Sequence, residues 1–350
     1  MNARMSLLSG VSEFFGLDIG TSAVRAVQVT NNPKTKQLMR YAIAPMDSKL
    51  MLSDAKADQL KVADQIKQML SQAQITTKNV AVGIPSSRVF TTVVDIERLE
   101  PKELASTIKF QADSLIPTPI AESKIDWALI GDSPKDPNKV EVLLSSVPNN
   151  FVEARLDLLE SIGLDVIAFE PDNLALVRSV MPQDSTAPQM VIDIGSKSTD
   201  IVVTMGGIPR LTRAIPTGSE AIVRAAQQNL NIDDKQAQEF VFKFGLSQQK
   251  LEGQVYHAII ATIDLLMTDI DKSIKFFQTR YNNTKIERIT MTGGASALPE
   301  FPLHIANKFG INVEIGNAWR NVSYGLERQN ELMALSNHFG VAVGLAERNE

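Results

Sequence analysis

Gly16-Leu17-Asp18-Ile19-Gly20-Thr21-Ser22-Ala23-Val24-Arg25 and Val191-Ile192-Asp193-Ile194-Gly195-Ser196-Lys197-Ser198-Thr199-Asp200 carry one pattern twice. Each runs apolar residues into Asp-Ile-Gly, then small hydroxyl residues, then a second apolar stretch. That stretch holds Val27 and Val29 in the first copy and Ile201, Val202 and Val203 in the second. Apolar runs broken by a Gly-centred turn predict strand–turn–strand. Asp18 and Asp193 stand half a chain apart, so the repeat predicts two related halves facing one site.

The chemistry of the turn follows from its residue types. Gly20 and Gly195 permit φ > 0 and let a ligand approach the backbone, and successive N–H groups in such a turn form an anion-binding nest. Thr21, Ser22, Ser196 and Ser198 add hydroxyl donors suited to phosphate oxygens, and Lys197 adds an ammonium able to reach one. Asp18 and Asp193 repel phosphate directly, so they need a cation between. Mg²⁺ fits, because it keeps several waters while bridging carboxylates to phosphates. One such turn is ordinary strand-end chemistry; two at half-chain spacing point to a phosphate site. A third element is Ile289-Thr290-Met291-Thr292-Gly293-Gly294-Ala295-Ser296, a β-branched strand running into a Gly-Gly turn where a base or sugar can lie on bare backbone.

Composition narrows the class. The 350 residues carry a net charge of −5 and no basic run with interleaved aromatics, which argues against nucleic acid. With no cysteine, thiolate zinc sites and cysteine nucleophiles are excluded. His257, His304 and His338 lie far apart without metal-ligand spacing. No apolar run reaches the length of a membrane span. The leader, with Leu7, Leu8, Val11, Phe14 and Phe15, lacks a credible signal-peptide cleavage region. It reads as a core-packing or disordered segment, with transient membrane or partner contact as the alternative. No Walker-type loop and no Rossmann glycine fingerprint occurs.

Along the chain, residues 14–44 predict a three-stranded meander with its turn at Asn31-Asn32-Pro33. Residues 57–74 predict a helix with Leu60, Ala63, Ile66, Leu70 and Ala73 on the inner face. Strands follow at Val80–Ile84 and Val89–Ile96. Pro101 opens a helix with Leu104, Ile108, Ala112 and Leu115 inward, stopped by Pro117 and Pro119. Residues 182–188 read as a polar linker. A second meander covers 190–215, and Gly218 begins a helix. A long helix over 254–280 carries an apolar stripe of Ile259, Ile263, Leu266, Ile270, Ile274 and Phe277. The segment Leu332–Ala346 reads as one small-residue helix packing back onto the first half. Meanders leading helices in each half predict mixed α/β rather than a simple alternating array.

The three turns resemble the phosphate-1, phosphate-2 and adenosine motifs of the actin-like ATPase superfamily, which includes actin, sugar kinases and the division protein FtsA. The resemblance implies an actin-like (ribonuclease H-like) bilobal fold with nucleotide in the cleft and an FtsA-type inserted subdomain. Glu170-Pro171-Asp172-Asn173-Leu174-Ala175 is similar to the superfamily's first interlobe connection. Within the superfamily the chain resembles the PilM family of type IV pilus assembly proteins. The matching segments are Gly16–Val27, Val80–Ser87, Leu115-Ile116-Pro117 with Ala121-Glu122, Val166–Pro171 and Lys275-Phe276-Phe277.

That resemblance implies a first-lobe core at 1–85, 151–181 and 332–350, and an inserted subdomain at 86–150. It implies a second-lobe core at 188–215 and 270–331, with a subdomain at 216–269. It implies ATP and Mg²⁺ as cofactors, with Asp18 and Asp193 holding the metal through water. Nucleotide contacts are expected from Gly20, Thr21, Ser22, Gly195, Ser196, Lys197, Ser198, Gly218, Glu220, Gly293, Gly294 and Ala295. The expected partner is the N-terminal cytoplasmic tail of PilN, in a groove between the first lobe and the inserted subdomain. Other platform proteins and the motor ATPases are further candidates, with the protein held peripherally at the inner membrane through its partners. Phe110, Leu115, Ile116 and Pro117 offer an apolar slot for the tail or, alternatively, subdomain core. Glu170 is the candidate to position a hydrolytic water, or an interlobe structural carboxylate. ATP is accordingly read as a conformational ligand with slow or absent turnover. The alternatives are an FtsA-like division protein, a type II secretion platform protein and, less favoured, a small-molecule kinase.

Overall fold

The computed structural model describes residues 13–349 except 31, 33, 34, 183 and 184. Leu7, Leu8 and Val11 of the leader, Asn31 and Pro33 of the first meander turn, and part of the 182–188 linker thus lie outside the described residues.

The chain opens with β1 (Phe15–Ile19), β2 (Ala23–Val29), β3 (Lys36–Pro45), a short α1 (Ser48–Met51), α2 (Lys56–Gln72) and β4 (Asn79–Ile84). The inserted segment follows as β5 (Phe90–Glu97), α3 (Pro101–Leu115), β6 (Ser123–Asp132) and β7 (Lys139–Pro148). Then come α4 (Asn149–Glu160), β8 (Asp165–Pro171), α5 (Asp172–Val180), β9 (Gln189–Ile194), β10 (Thr199–Met205) and β11 (Ile208–Ile215). The rest is α6 (Ser219–Leu230), α7 (Asp234–Phe244), α8 (Gln254–Arg280), β12 (Arg288–Thr292), α9 (Phe301–Phe309), β13 (Asn312–Ile315), β14 (Val322–Ser323), α10 (Gln329–Leu335) and α11 (Gly340–Ala346).

Contacts divide the chain into two units, one of 1–85, 150–181 and 316–350, the other of 86–149 and 182–315. In the first unit the sheet order is β14-β3-β2-β1-β4-β8. Alternation along β2 sends Val24 and Ala26 to one face, among Val62, Ile66 and Leu159, and Val27 and Val29 to the other, among Trp319, Phe339 and Val343. Leu60 is exposed; Val62 and Met69 take the inner face with Ala63, Ile66 and Leu70. The expected and buried stripes share Ala63, Ile66 and Leu70, and the buried one widens toward Val62 and Met69 instead of Leu60.

The C-terminal segment is two helices rather than one. Ser336 breaks it: its Oγ accepts the Ala318 N–H at 2.8 Å. The break lets Phe339 enter the core and turns α11 onto β1 and α5. The contact is backbone against backbone, since a Cβ on Gly344 would stand 1.8 Å from the Ala175 carbonyl oxygen.

The second unit contains a sheet of order β11-β10-β9-β12-β13 and a separate three-stranded sheet β5-β7-β6. In the larger sheet β9 pairs antiparallel with β10 and parallel with β12, as β1 does with β2 and β4 in the first unit. The repeated sequence pattern is therefore a repeated topology. The helix α8 buries its predicted stripe, from Ile259 to Phe277, among Ile192, Ile201 and Met291. On the smaller sheet, α3 packs Leu104, Ile108 and Ala112 against Val142 and Leu144.

Candidate nucleotide-binding turns and the family they identify

Both Asp-Ile-Gly turns are two-residue hairpins. The Gly20 N–H donates to the Ala23 carbonyl at 3.1 Å, and the Gly195 N–H to the Ser198 carbonyl at 2.9 Å. Neither glycine has a positive φ, so the turns do not use the conformational freedom that glycine permits. What they provide is space: a Cβ would come within 3.0 Å of the Ala23 oxygen and 3.2 Å of the Ser198 oxygen, respectively. Those two amides close the hairpins and leave Thr21 and Ser22, and Ser196 and Lys197, at the tips.

The aspartates differ in what faces them across the hairpin. In the first unit Asp18 lies opposite Arg25, and the two are paired at 3.1 Å. Burial pushes the Asp18 carboxyl up, against the pull of that guanidinium. In the second unit Asp193 lies directly opposite Asp200. Burial pushes the Asp200 carboxyl up to about 6, with Ser86 offsetting part of the rise. Its Oδ1 is buried and has no hydrogen-bond partner. Like charges opposite each other on one sheet face are unfavourable unless a cation or a proton intervenes. Asp200 holds the place in the second copy of the repeat that Arg25 holds in the first, and that change is its signal in the sequence.

The remaining predicted contacts of the second unit converge on the same hairpin. Ser219 and Glu220 donate backbone N–H groups to the Gly195 and Ser196 carbonyls at 2.9 and 3.0 Å, so α6 begins against the turn. Gly218 makes this approach feasible, because a Cβ there would lie 2.5 Å from the Ser196 oxygen. The Lys197 ammonium pairs with Glu220. The β12 strand brings Thr292 beside Asp193. Gly293 has a φ of +84°, and a Cβ on it would stand 2.5 Å from Asp193 Oδ1. Gly294, Ala295 and Ser296 then turn away in a short 3-10 helix, with Ser296 Oγ donating to the Gly293 carbonyl at 2.8 Å. The carboxyl ends of the adjacent parallel strands β9 and β12 thus lie side by side, the position where open α/β sheets receive ligands.

Mg²⁺ fits this donor set better in the second unit than in the first. Asp193 and Asp200 offer adjacent carboxylates, one with a buried oxygen lacking a partner, whereas Asp18 is held by Arg25. Among the described residues no group of three or more His, Asp or Glu forms a metal cage.

Glu170 sits at the end of β8, buried, with Arg178 and Arg348 on its carboxylate. Both oxygens are engaged, an arrangement suited to holding α5 and the C-terminal segment rather than to orienting a water. The four expected groove residues do not form one slot. Ile116 belongs to the subdomain core and Leu115 packs against it, while Pro117 is exposed and Phe110 is 86% exposed. Ile116 follows the helix end and turns inward, as its burial beside Ala112 requires.

No helix among the described residues is long and apolar enough to cross a membrane. The family model described as type IV pilus assembly protein PilM matches residues 16–350. A solved PilM-PilN type IV pilus biogenesis complex is similar at 25% identity over 96% of this chain and 98% of that chain, with a TM-score of 0.83. The ethanolamine utilization protein EutJ from Carboxydothermus hydrogenoformans shares the fold at 14% identity, 95% and 88% coverage and TM-score 0.56. So does MreB5 of Spiroplasma citri bound to ADP, at 13% identity, 95% coverage of both chains and TM-score 0.54. These likenesses agree with the repeated sheet topology in giving an actin-like fold, and with a match over residues 16–350 the chain belongs to the PilM family of type IV pilus assembly proteins.

Proposed function

We propose that this protein is an ATP-binding scaffold of the type IV pilus assembly platform, working at the cytoplasmic face of the inner membrane. Its partner in this reading is the N-terminal cytoplasmic tail of PilN, through which it is held at the membrane. The observation that most supports the nucleotide part is the convergence of Asp193, Ser196, Gly218 and Gly293 on one hairpin. Family membership, and a solved relative that is a PilM-PilN complex, support the partner.

In this reading Asp193 and Asp200 hold Mg²⁺, Ser196 and Lys197 meet the phosphates, and Gly293 and Gly294 leave room for the adenosine. The pairing of Glu170 leaves no group assigned to activate water, so nucleotide acts by being bound and turnover is slow or absent. Phe110 is the exposed anchor on the inserted segment for the partner tail.

The test is calorimetric titration of the full chain with a synthetic PilN N-terminal tail, with and without Mg-ATP. Binding is expected, with Phe110→Ala weakening it about tenfold. A folded protein that takes up Mg-ATP and binds no tail under either condition would overturn the scaffold role. Unchanged tail affinity in Phe110→Ala would move the anchor elsewhere.

A further inference from the structure

Three adjacent strands of the inserted segment carry a row of residues across one face of their sheet. Asp95 of β5 lies opposite Glu141 of β7, and Glu141 lies opposite Gly131 of β6. Residues opposite one another share a face, and neighbours along a strand point to opposite faces. Val140, Val142 and Leu144 pack with α3, so Glu141 points to the face that α3 leaves free.

On that face Glu141 is fully buried. It accepts from Arg280 Nε at 3.0 Å and from the Tyr281 hydroxyl at 2.9 Å, and pairs with Arg210 of β11. Asp95 pairs with the same Arg280 guanidinium at 2.9 Å. Gly131 leaves room for the other arginine, since a Cβ there would stand 3.2 Å from Arg210 Nη2. Two carboxylates thus meet two guanidiniums, and removing one member leaves a buried charge uncompensated.

The place of this socket in the chain gives it a role. The inserted segment joins the first unit at both ends, after Pro85 and before Asn150, yet it groups with the second unit. Its apolar core and the core around α8 are separate clusters that share no member among the described residues. The charged row bridges the two, from β5 and β7 to β11 and the end of α8. One donor in it is unsatisfied: Arg210 Nε is buried without a hydrogen-bond partner. A polar seam between separate cores, with a buried donor left over, opens more readily than a continuous apolar one.

We propose that Asp95 and Glu141 form a releasable latch, which makes the inserted sheet move with the second unit although its chain ends belong to the first. Glu141 is the positioning residue, because it alone holds both arginines. In the scaffold reading, a tail held at Phe110 would act through this latch on α8, whose stripe packs among Ile192 and Met291 of the strands leading to the phosphate turn. That consequence rests on the scaffold reading, and the latch itself does not.

The test therefore uses the full chain without nucleotide or tail. The chain has no cysteine, so spin labels at Lys124→Cys on β6 and Lys308→Cys on α9 report one distance by pulsed electron paramagnetic resonance. A single narrow distance is expected with Glu141 in place. Glu141→Gln, which keeps the shape and removes the charge, is expected to broaden it or add a second distance. In the same variant hydrogen exchange is expected to quicken at least about tenfold at 139–148 and to stay unchanged at 255–277. Asp95→Asn, which removes one arm and leaves Glu141 in place, is expected to broaden the distance less, and it decides the matter if Glu141→Gln fails to fold. An unchanged narrow distance in a folded Glu141→Gln protein, or in Asp95→Asn where that protein does not fold, would overturn the latch. So would a broad distance in the wild type.

Discussion

The two hairpins show how one residue changes the chemistry of a repeated motif. Arg25 turns the first aspartate into half of a buried ion pair, and Asp200 turns the second into half of a carboxylate pair. Removing Arg25 leaves Asp18 buried without its counter-charge. Arg25→Met is therefore expected to cost about 3 kcal/mol in urea unfolding, with much of the loss recovered in Asp18→Asn/Arg25→Met. An equal loss in the double variant would show that packing, not charge, carries the pair. In the second hairpin, Asp193→Ala is expected to weaken Mg-ATP binding at least about tenfold, since it removes a carboxylate from the cation. Unchanged affinity in that variant would count against the site. Glu347 supplies a pH dependence. Burial pushes its carboxyl up to about 7, against Asn321, Arg178 and Lys36. A raised folded pKa means that the native state holds the proton more tightly than the unfolded chain. Stability from this group is thus complete below about pH 4.5 and is lost as pH rises through about 7. Between pH 5 and 8 the wild type is expected to lose up to about 3 kcal/mol that Glu347→Gln retains, read from urea midpoints at the two pH values. Parallel curves for the two proteins would remove Glu347 as the cause.

Strands and long helices were legible for different local reasons. β9 and β10 are near-continuous apolar runs buried on both faces, and Ile259, Ile263, Leu266 and Ile270 on α8 keep helical spacing on one buried stripe. Elements decided by distant partners were not. The break at Ser336 depends on the Ala318 amide, which no local pattern announces. Phe110, Leu115 and Ile116 look alike in sequence, but their separation into solvent and core is set by the sheet beneath α3. The turns themselves were readable from residue type, while the occupants facing them, Arg25 and Asp200, emerge only from strand register. The small residues of α11 signalled close packing without naming its partner. In the fold that partner is α5, and the fit leaves no room for a side chain at Gly344. Gly344→Ala is therefore expected to destabilise the first unit by about 3 kcal/mol, as overpacked sites do. Gly163→Ala makes a contrasting control, because a Cβ there meets nothing within 4 Å and only its φ of +83° opposes the change. A smaller effect at Gly344 than at Gly163 would mean that α11 moves aside at little cost.

Across the molecule, one sheet plan is used twice with different ends. Each unit pairs a leading hairpin with parallel strands on its other side, but only the second gathers two carboxylates, a helix start and a Gly-Gly turn around the hairpin. In the first unit the matching aspartate, Asp18, faces Arg25 and is paired with it. This asymmetry predicts where nucleotide binding energy appears. A ligand that binds the folded state at about 100 times its Kd stabilises what it touches by about 2.7 kcal/mol. Most of that protection is expected at Gln189–Met205 and Arg288–Thr292, with a smaller effect at Phe15–Val29, where the Arg25 pair already satisfies the aspartate. Hydrogen exchange resolved by segment reads the difference directly, and Arg25→Met sharpens it, because freeing Asp18 should raise the response of the first hairpin. If instead the first hairpin gains the greater protection in the wild type, the cation is held by Asp18 after release of Arg25, and the assignment of Asp193 with Asp200 falls.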